Sequence, residues 1–201
     1  MNIELEIKLA ISDAAIVLLK QHPMLQKPMC PSSKRRLIST YFDTPDKQLR
    51  KQGYALRIRQ DEGLFTQTLK GRATAQFGLT ARNEWEWPLE QFALDFSLIP
   101  VPELKTMFSD SNVMQYFSPR FTTDFIREAW DIELSDQTLI EVALDRGIIS
   151  VGEHSSPIQE LELELKKGNP ETLKAFANLF QVELGLSPEN RSKAARGFAL
   201  C

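Results

Sequence analysis

Glu4, Glu6 and Lys8 alternate with Leu5 and Ile7 near the start of this 201-residue chain, and Glu162, Glu164 and Lys166 repeat the spacing far downstream. On a β-strand successive side chains point to opposite faces, so each run gathers two carboxylates and an ammonium on one side and apolar residues on the other. A single strand of this kind is an ordinary half-buried strand showing its polar face to water. Two such strands, with arginine- and lysine-bearing strands between them, point to a site that handles a metal ion bound to a polyanion.

The intervening runs keep the same alternation. Arg57 and Arg59 oppose Leu56 and Ile58, Thr66 and Thr68 share a side with Lys70, and Arg82, Glu84 and Glu86 alternate with Asn83, Trp85 and Trp87. Collected by face, the acidic set is Glu4, Glu6, Glu84, Glu86, Asp145, Glu162 and Glu164. The basic set is Lys8, Arg57, Arg59, Lys70, Arg82, Arg127 and Lys193. Hard divalent cations such as Mg²⁺ take carboxylate oxygens and often share the ion with substrate phosphates. Arginine forks match phosphate oxygens in pairs, whereas lysine acts as a compact point charge. A closed sheet turning both sets inward would hold a phosphate chain in a charged lumen, with an apolar outer face, Trp85 and Trp87 included, covered by helices. His22 and His154 lie in loop-like contexts with no partner pattern and are not expected to act in catalysis. No phosphate-binding glycine loop or nucleophile elbow is present.

The elements that must position these residues follow from pattern and punctuation. Ser12 is the expected N-cap of a helix over 13–21 with Ile16, Leu18 and Leu19 inward, and His22-Pro23 ends it. Residues 23–34 read as a loop and 37–43 as a strand. Thr44-Pro45-Asp46 opens a turn running to Leu49 that Gly53 closes, and 54–60 and 64–70 are strands joined by a hairpin at Asp61-Glu62-Gly63. Residues 71–80 read as a mobile loop, 82–87 as a strand, and 89–118 as a partly helical connector. Four strands are expected at 121–132, 138–144, 148–152 and 158–166, with a turn at Asp145-Arg146-Gly147. Asn169-Pro170 starts a helix to about Glu183, and Pro188 opens a last helix ending near Gly197. The order is strands, connector, strands, helix: an antiparallel-rich α+β domain.

Length and a hydrophobic content of 42% allow one substantial core. A net charge of −3 argues against general nucleic-acid binding. The two cysteines, Cys30 and Cys201, have no metal-ligand spacing and read as free thiols in a reducing compartment. No apolar stretch reaches the length of a membrane span, and the first strand leaves no room for a signal peptide. The expectation is a cytoplasmic protein that engages neither membrane nor nucleic acid.

The Glu-x-Glu-x-Lys run at 4–8 resembles the signature of the CYTH superfamily, the triphosphate tunnel metalloenzymes. The likeness continues through Tyr41-Phe-Asp-Thr-Pro-Asp46, Ala55-Leu-Arg-Ile-Arg59, Thr68-Leu-Lys70, Arg82-Asn-Glu84, Leu144-Asp145, Glu160-Leu-Glu-Leu-Glu164 and Ser192-Lys-Ala-Ala-Arg-Gly197. It is greatest to the bacterial inorganic triphosphatases. The resemblance implies an α+β fold, an eight-stranded antiparallel closed β-tunnel with helices packed on the outside. It also implies metal-dependent (Mg²⁺ or Mn²⁺) hydrolysis of tripolyphosphate to pyrophosphate and phosphate; the sequence leaves monomer and homodimer both open.

Carried over by position, Lys8, Arg57, Arg59, Lys70, Arg127 and Lys193 bind the triphosphate. Glu4, Glu6, Glu84, Asp145, Glu162 and Glu164 hold metal or position water. Arg82, Glu86, Glu141 and Glu160 match less closely. Residues 1–201 are expected to form one CYTH domain without the C-terminal helical phosphate-associated domain of many bacterial relatives. Competing expectations are a class IV adenylate cyclase, a thiamine triphosphatase, and a non-catalytic module that binds polyphosphate or nucleotide.

Overall fold

The computed structural model describes residues 2–26, 32–76 and 79–201; Cys30 lies outside them. In chain order the elements are β1 (Asn2–Ala10), α1 (Asp13–Gln21), β2 (Ser33–Asp43), α2 (Gln48–Lys51), β3 (Ala55–Asp61), β4 (Leu64–Lys70), β5 (Thr74–Gln76), β6 (Leu79–Leu89), α3 (Pro102–Ser109), α4 (Ser111–Met114), β7 (Ser118–Glu133), β8 (Leu139–Val151), β9 (His154–Lys167), α5 (Pro170–Leu184), β10 (Ser187–Pro188) and α6 (Lys193–Leu200). Strands β1-β9-β8-β7-β2-β3-β4-β6 hydrogen-bond in that order, and β6 returns to β1, closing an eight-stranded antiparallel barrel. Closure leaves these eight strands a continuous ladder, with β5 and β10 as short additions. The two Glu-x-Glu-x-Lys strands are neighbours, β1 beside β9, with Glu6 opposite Glu164 and Lys8 opposite Glu162.

The outward faces are apolar and covered. Ile7, Leu9, Val142, Leu144, Leu161 and Leu163 pack against α1 and α5. Ser12 caps α1, its hydroxyl accepting from the Ala15 amide. The helix buries Ala15, Ile16 and Leu19, the i, i+1, i+4 face, whereas Leu18 projects from the side and is half exposed, contrary to the sequence expectation. Asn169 caps α5 and Gly185 ends it at φ 66°, in the left-handed region. On the opposite flank Trp85 and Trp87 face outward, as expected, onto a cluster built from Leu56, Leu69, Val101, Leu104 and Met107. A third cluster closes one end of the barrel: Phe198 of α6 meets Tyr41, Phe121, Phe125, Ile149 and Ile158, which share the inward faces of their strands.

Several boundaries differ from the sequence reading. Asp145-Arg146-Gly147 is not a turn but the middle of the continuous strand β8, paired to both neighbours. Gly147 is required there by a close approach. A Cβ would fall 2.1 Å from the Asp124 carbonyl oxygen and 2.4 Å from the Phe125 Cα. Gly147→Ala is expected to destabilise the fold by about 3 kcal/mol, because backbone rather than a flexible side chain must yield. A urea midpoint equal to that of the wild type would refute this. Pro188 pairs with Leu9 in β10 instead of opening a helix, and α6 starts after the Ser192 cap. Residues 74–76 of the expected loop pair with β6, and β2 begins at Ser33 rather than Leu37. His22 has partners that its sequence context hid. Its Nε2 lies 2.8 Å from a Glu183 oxygen, and its Nδ1 accepts from the Met24 amide, clipping α1 to α5 away from the tunnel.

Candidate active site

Inward alternation on all eight strands produces a cavity of about 280 Å³ lined almost wholly by charge. Glu4, Glu6, Lys8, Arg57, Arg59, Lys70, Arg82, Glu84, Arg127, Glu162, Glu164 and Lys193 all line it, as do Glu86 and Glu141. Asp145 lies behind this surface and is fully buried. The first and last thirds of the chain meet here because β1, β9 and β8 are adjacent and α6 reaches the cavity with its first residue, Lys193.

Carboxylates cluster on β1, β9, β8 and β6. Lys70 donates to Glu4 at 2.8 Å and lies 2.9 Å from Glu84, and Arg82 bridges Glu4 at 2.5 Å and Glu6 at 2.8 Å. Lys8 pairs with Glu6 on its own strand. Burial alone would raise the pKa of Glu4; Lys70 and Arg82 outweigh it and hold the group well below the usual carboxylate range. Asp145 takes the Arg127 fork on both oxygens, at 2.8 and 2.7 Å, and the Lys193 ammonium at 2.6 Å. Lys193 also donates to Glu160 at 2.5 Å and Glu162 at 3.0 Å. Glu162 is therefore held well below its ordinary pKa, with burial outweighed by Lys193, Arg127 and Lys8, whereas Glu160 is raised by burial.

The β3 side is different. Arg57, 6% exposed, donates to the Tyr41 hydroxyl at 3.5 Å, its buried Nε has no hydrogen-bond partner among the described residues, and Tyr41, Glu84 and Glu86 favour its charge against burial. Arg59 donates to the Ser39 hydroxyl at 3.3 Å. Both guanidinium groups are turned into the lumen, and Arg59 is depressed to about 10 by burial and by repulsion from Arg57 and Arg127. A cation held in that state is ready for an anion. The lumen thus has a donor wall short of acceptors facing an oxygen-rich wall.

The oxygen donors fit a hard divalent cation. One carboxylate oxygen from each of Asp145, Glu160 and Glu162 lies within 4.8 Å of the others, but Lys193 and Arg127 already compensate that group. A second row is more exposed at Glu141 and Glu164, with Lys8 and Arg82 paired to its Glu6 and Lys166 near the other two. Glu6, Glu164 and Glu141 stand opposite one another across β1, β9 and β8. Like charges directly opposite repel unless a cation intervenes. Glu164 is raised by burial, with Glu141 and Glu4 adding to the shift against Lys166 at 3.0 Å.

The structure adds lining residues outside the set expected from sequence: Arg35, Tyr41, Lys166, Ser192 and Ala194. Arg35 shares the inward parity of Leu37 and Ser39, but the strand was expected to start only at Leu37. Lys166 was visible as the last member of the second Glu-x-Glu-x-Lys run.

Comparison with known proteins agrees with this geometry. The chain is 37% identical over 202 residues to the inorganic triphosphatase of Haemophilus influenzae, a match covering 98% of this chain and 54% of that protein. The chain thus spans about half the length of that curated relative. Among solved structures, HpAC1 of Hippeastrum, named for adenylyl cyclase and described with a dominant triphosphatase activity, superposes with a TM-score of 0.71 at 19% identity, covering 98% of this chain and 95% of that one. The PH1819 protein of Pyrococcus horikoshii OT3 gives 0.61 at 18% identity, covering 98% and 99%. At those identities the likeness is one of fold. The CYTH domain family matches residues 2–198, and with the closed tunnel and its charged lining this places the chain in the CYTH family.

Proposed function

We propose that residues 1–201 act as one CYTH unit that hydrolyses inorganic tripolyphosphate to pyrophosphate and phosphate with Mg²⁺ or Mn²⁺ in the cytoplasm. The observation that carries this reading is the pair of guanidinium groups, Arg57 and Arg59, which form no ion pair with a carboxylate among the described residues and share one lumen with a wall of carboxylates. The inorganic triphosphatase relative supports it. One chain builds the whole tunnel, so a monomer or a homodimer would serve.

In this reading Arg57, Arg59, Lys70, Arg82, Arg127, Lys8 and Lys193 neutralise and align the phosphate chain. Glu4, Glu6, Glu84, Glu162 and Glu164 would hold the metal and orient the attacking water. Asp145 has both oxygens engaged, so its part is to fix Arg127 and Lys193 from behind. A divalent ion bound there would supply charge neutralisation for phosphate oxygens and Lewis-acid activation of water. Water oxygen adds to the terminal phosphorus while the bond to the bridging oxygen breaks, releasing pyrophosphate and phosphate. Little covalent work falls to the protein, so fixed charges supply most of the rate enhancement.

Nucleoside and thiamine triphosphates would need a ring-recognition surface. Among the described residues Tyr41 is the one aromatic residue lining the cavity, and it is buried and stacked on Phe121 at 4.5 Å. Trp85 and Trp87 face away. The test is phosphate release from tripolyphosphate, ATP and thiamine triphosphate in parallel, with Mg²⁺, Mn²⁺ or EDTA. Metal-dependent turnover that favours tripolyphosphate is expected, with none in EDTA. Cyclic AMP and pyrophosphate from ATP would make the protein a cyclase, and tight binding without turnover would leave a binding module.

A further inference from the structure

Lys47 sits at φ 61°, ψ 45°, a left-handed conformation that favours glycine or asparagine over a long side chain. Its turn is tightly braced. Fully buried Asp43 accepts from the amides of Thr44, Leu49 and Arg50, and the Thr44 hydroxyl donates to Asp46 while accepting from the Gln48 amide. The strained backbone aims one group. Lys47 Nζ donates at 2.9 Å to the carbonyl of Phe198, in the last turn of α6. Carbonyls there lack helical donors and face the negative end of the helix dipole, so an ammonium suits them. Three residues along, the Arg50 guanidinium lies 5.0 Å over the Phe198 ring.

The other end of α6 carries Lys193 into the tunnel. Its ties to Asp145, Glu160 and Glu162 are ion pairs with which an incoming phosphate chain competes. The contact at Phe198 lies outside that competition. We propose that Lys47 is a positioning residue: it pins the C-terminal end of α6, with Arg50 assisting, so that Lys193 stays registered in the lumen while it exchanges carboxylate partners for substrate oxygens. This rests on the triphosphatase reading for its substrate and on the geometry of α6 alone for its mechanics.

Lys47→Gly is the discriminating variant, because glycine accepts the left-handed backbone and leaves the turn unstrained. Melting within a few degrees of wild type, amide exchange across 193–200 about tenfold faster, and a KM for tripolyphosphate raised about tenfold with kcat within about twofold are expected. Lys47→Arg, which keeps a cationic donor, should restore most of both losses. Unchanged exchange in α6 overturns the latch. Faster exchange with unchanged KM overturns its link to Lys193, and an arginine variant as impaired as the glycine variant overturns the donor role. Failure of wild type to turn over tripolyphosphate would refute the functional reading instead, and the exchange measurement would still decide the latch.

Discussion

Arg59→Met should lower kcat/KM for tripolyphosphate by about 10²–10³-fold, the loss typical of removing one preorganised contact to developing charge, while raising the melting temperature of the substrate-free protein. The two effects share a cause. Arg59 is buried near Arg57 and Arg127 and donates to the Ser39 hydroxyl, and burial and that repulsion push its pKa down to about 10. For a base, a depressed folded pKa means that the charged form is disfavoured in the native state at every pH below it. The penalty is therefore present at neutrality and fades only as pH rises through about 10. Methionine keeps much of the length and apolar contact, including the packing near Phe125, without the charge. A stability gain of about 1 kcal/mol is typical of relieving such a functional strain. Thermal melts near pH 7 with and without tripolyphosphate separate the effects: ligand should stabilise the wild type far more than the variant. A variant that melts lower than wild type in the absence of ligand would show that Arg59 is structural.

Much of this was legible in the sequence, for a specific reason. Barrel closure demands alternation with period two on every strand, so Glu4, Glu6, Arg57, Lys70 and Glu84 could be assigned to one face without knowing which strands pair. Trp85 and Trp87 fell to the other face by the same parity, and both lie there. What alternation cannot report is distance along the barrel. Asp145 and Glu164 looked like equivalent carboxylates; the fold buries the first behind Arg127 and Lys193 and leaves the second on the lumen beside Glu141. Gly147 looked like a hairpin glycine because its neighbours Asp145 and Arg146 are turn-compatible. Its real constraint is the proximity of β7, a long-range contact with no local signature. Arg35 lies in the basic run Lys34-Arg35-Arg36, where alternation gives no sign of a face, and the role of Lys47 needs both the backbone angle and the seat of α6.

Glu164→Gln should also abolish most activity, by about 10²–10³-fold in kcat, and stabilise the metal-free protein at neutral pH, for the converse electrostatic reason. Glu164 faces Glu6 and Glu141 across adjacent strands, and burial raises its pKa despite Lys166 at 3.0 Å. A carboxyl raised in the folded state binds its proton more tightly there than in the unfolded chain. Its ionised form thus costs stability above the folded pKa, and that cost disappears as pH falls through it. Glutamine is uncharged at all pH, so the stability difference from wild type should be largest near neutrality and shrink in acid. Glu162 carries the opposite sign: Lys193, Arg127 and Lys8 depress it, so its contribution persists as pH falls and is lost only below the usual carboxylate range. Melts of wild type and Glu164→Gln from pH 4 to 8, repeated with Mn²⁺, give the decisive contrast. Mn²⁺ should raise the wild-type melting temperature and leave the variant nearly unmoved, because the ion removes the same repulsion as the substitution. Equal stabilisation of both by Mn²⁺ would place the metal elsewhere in the tunnel. Glu164 and Arg59 are then two halves of one device in the proposed reading, each carrying a charge that the substrate-free fold disfavours and that one part of a metal–triphosphate complex would neutralise.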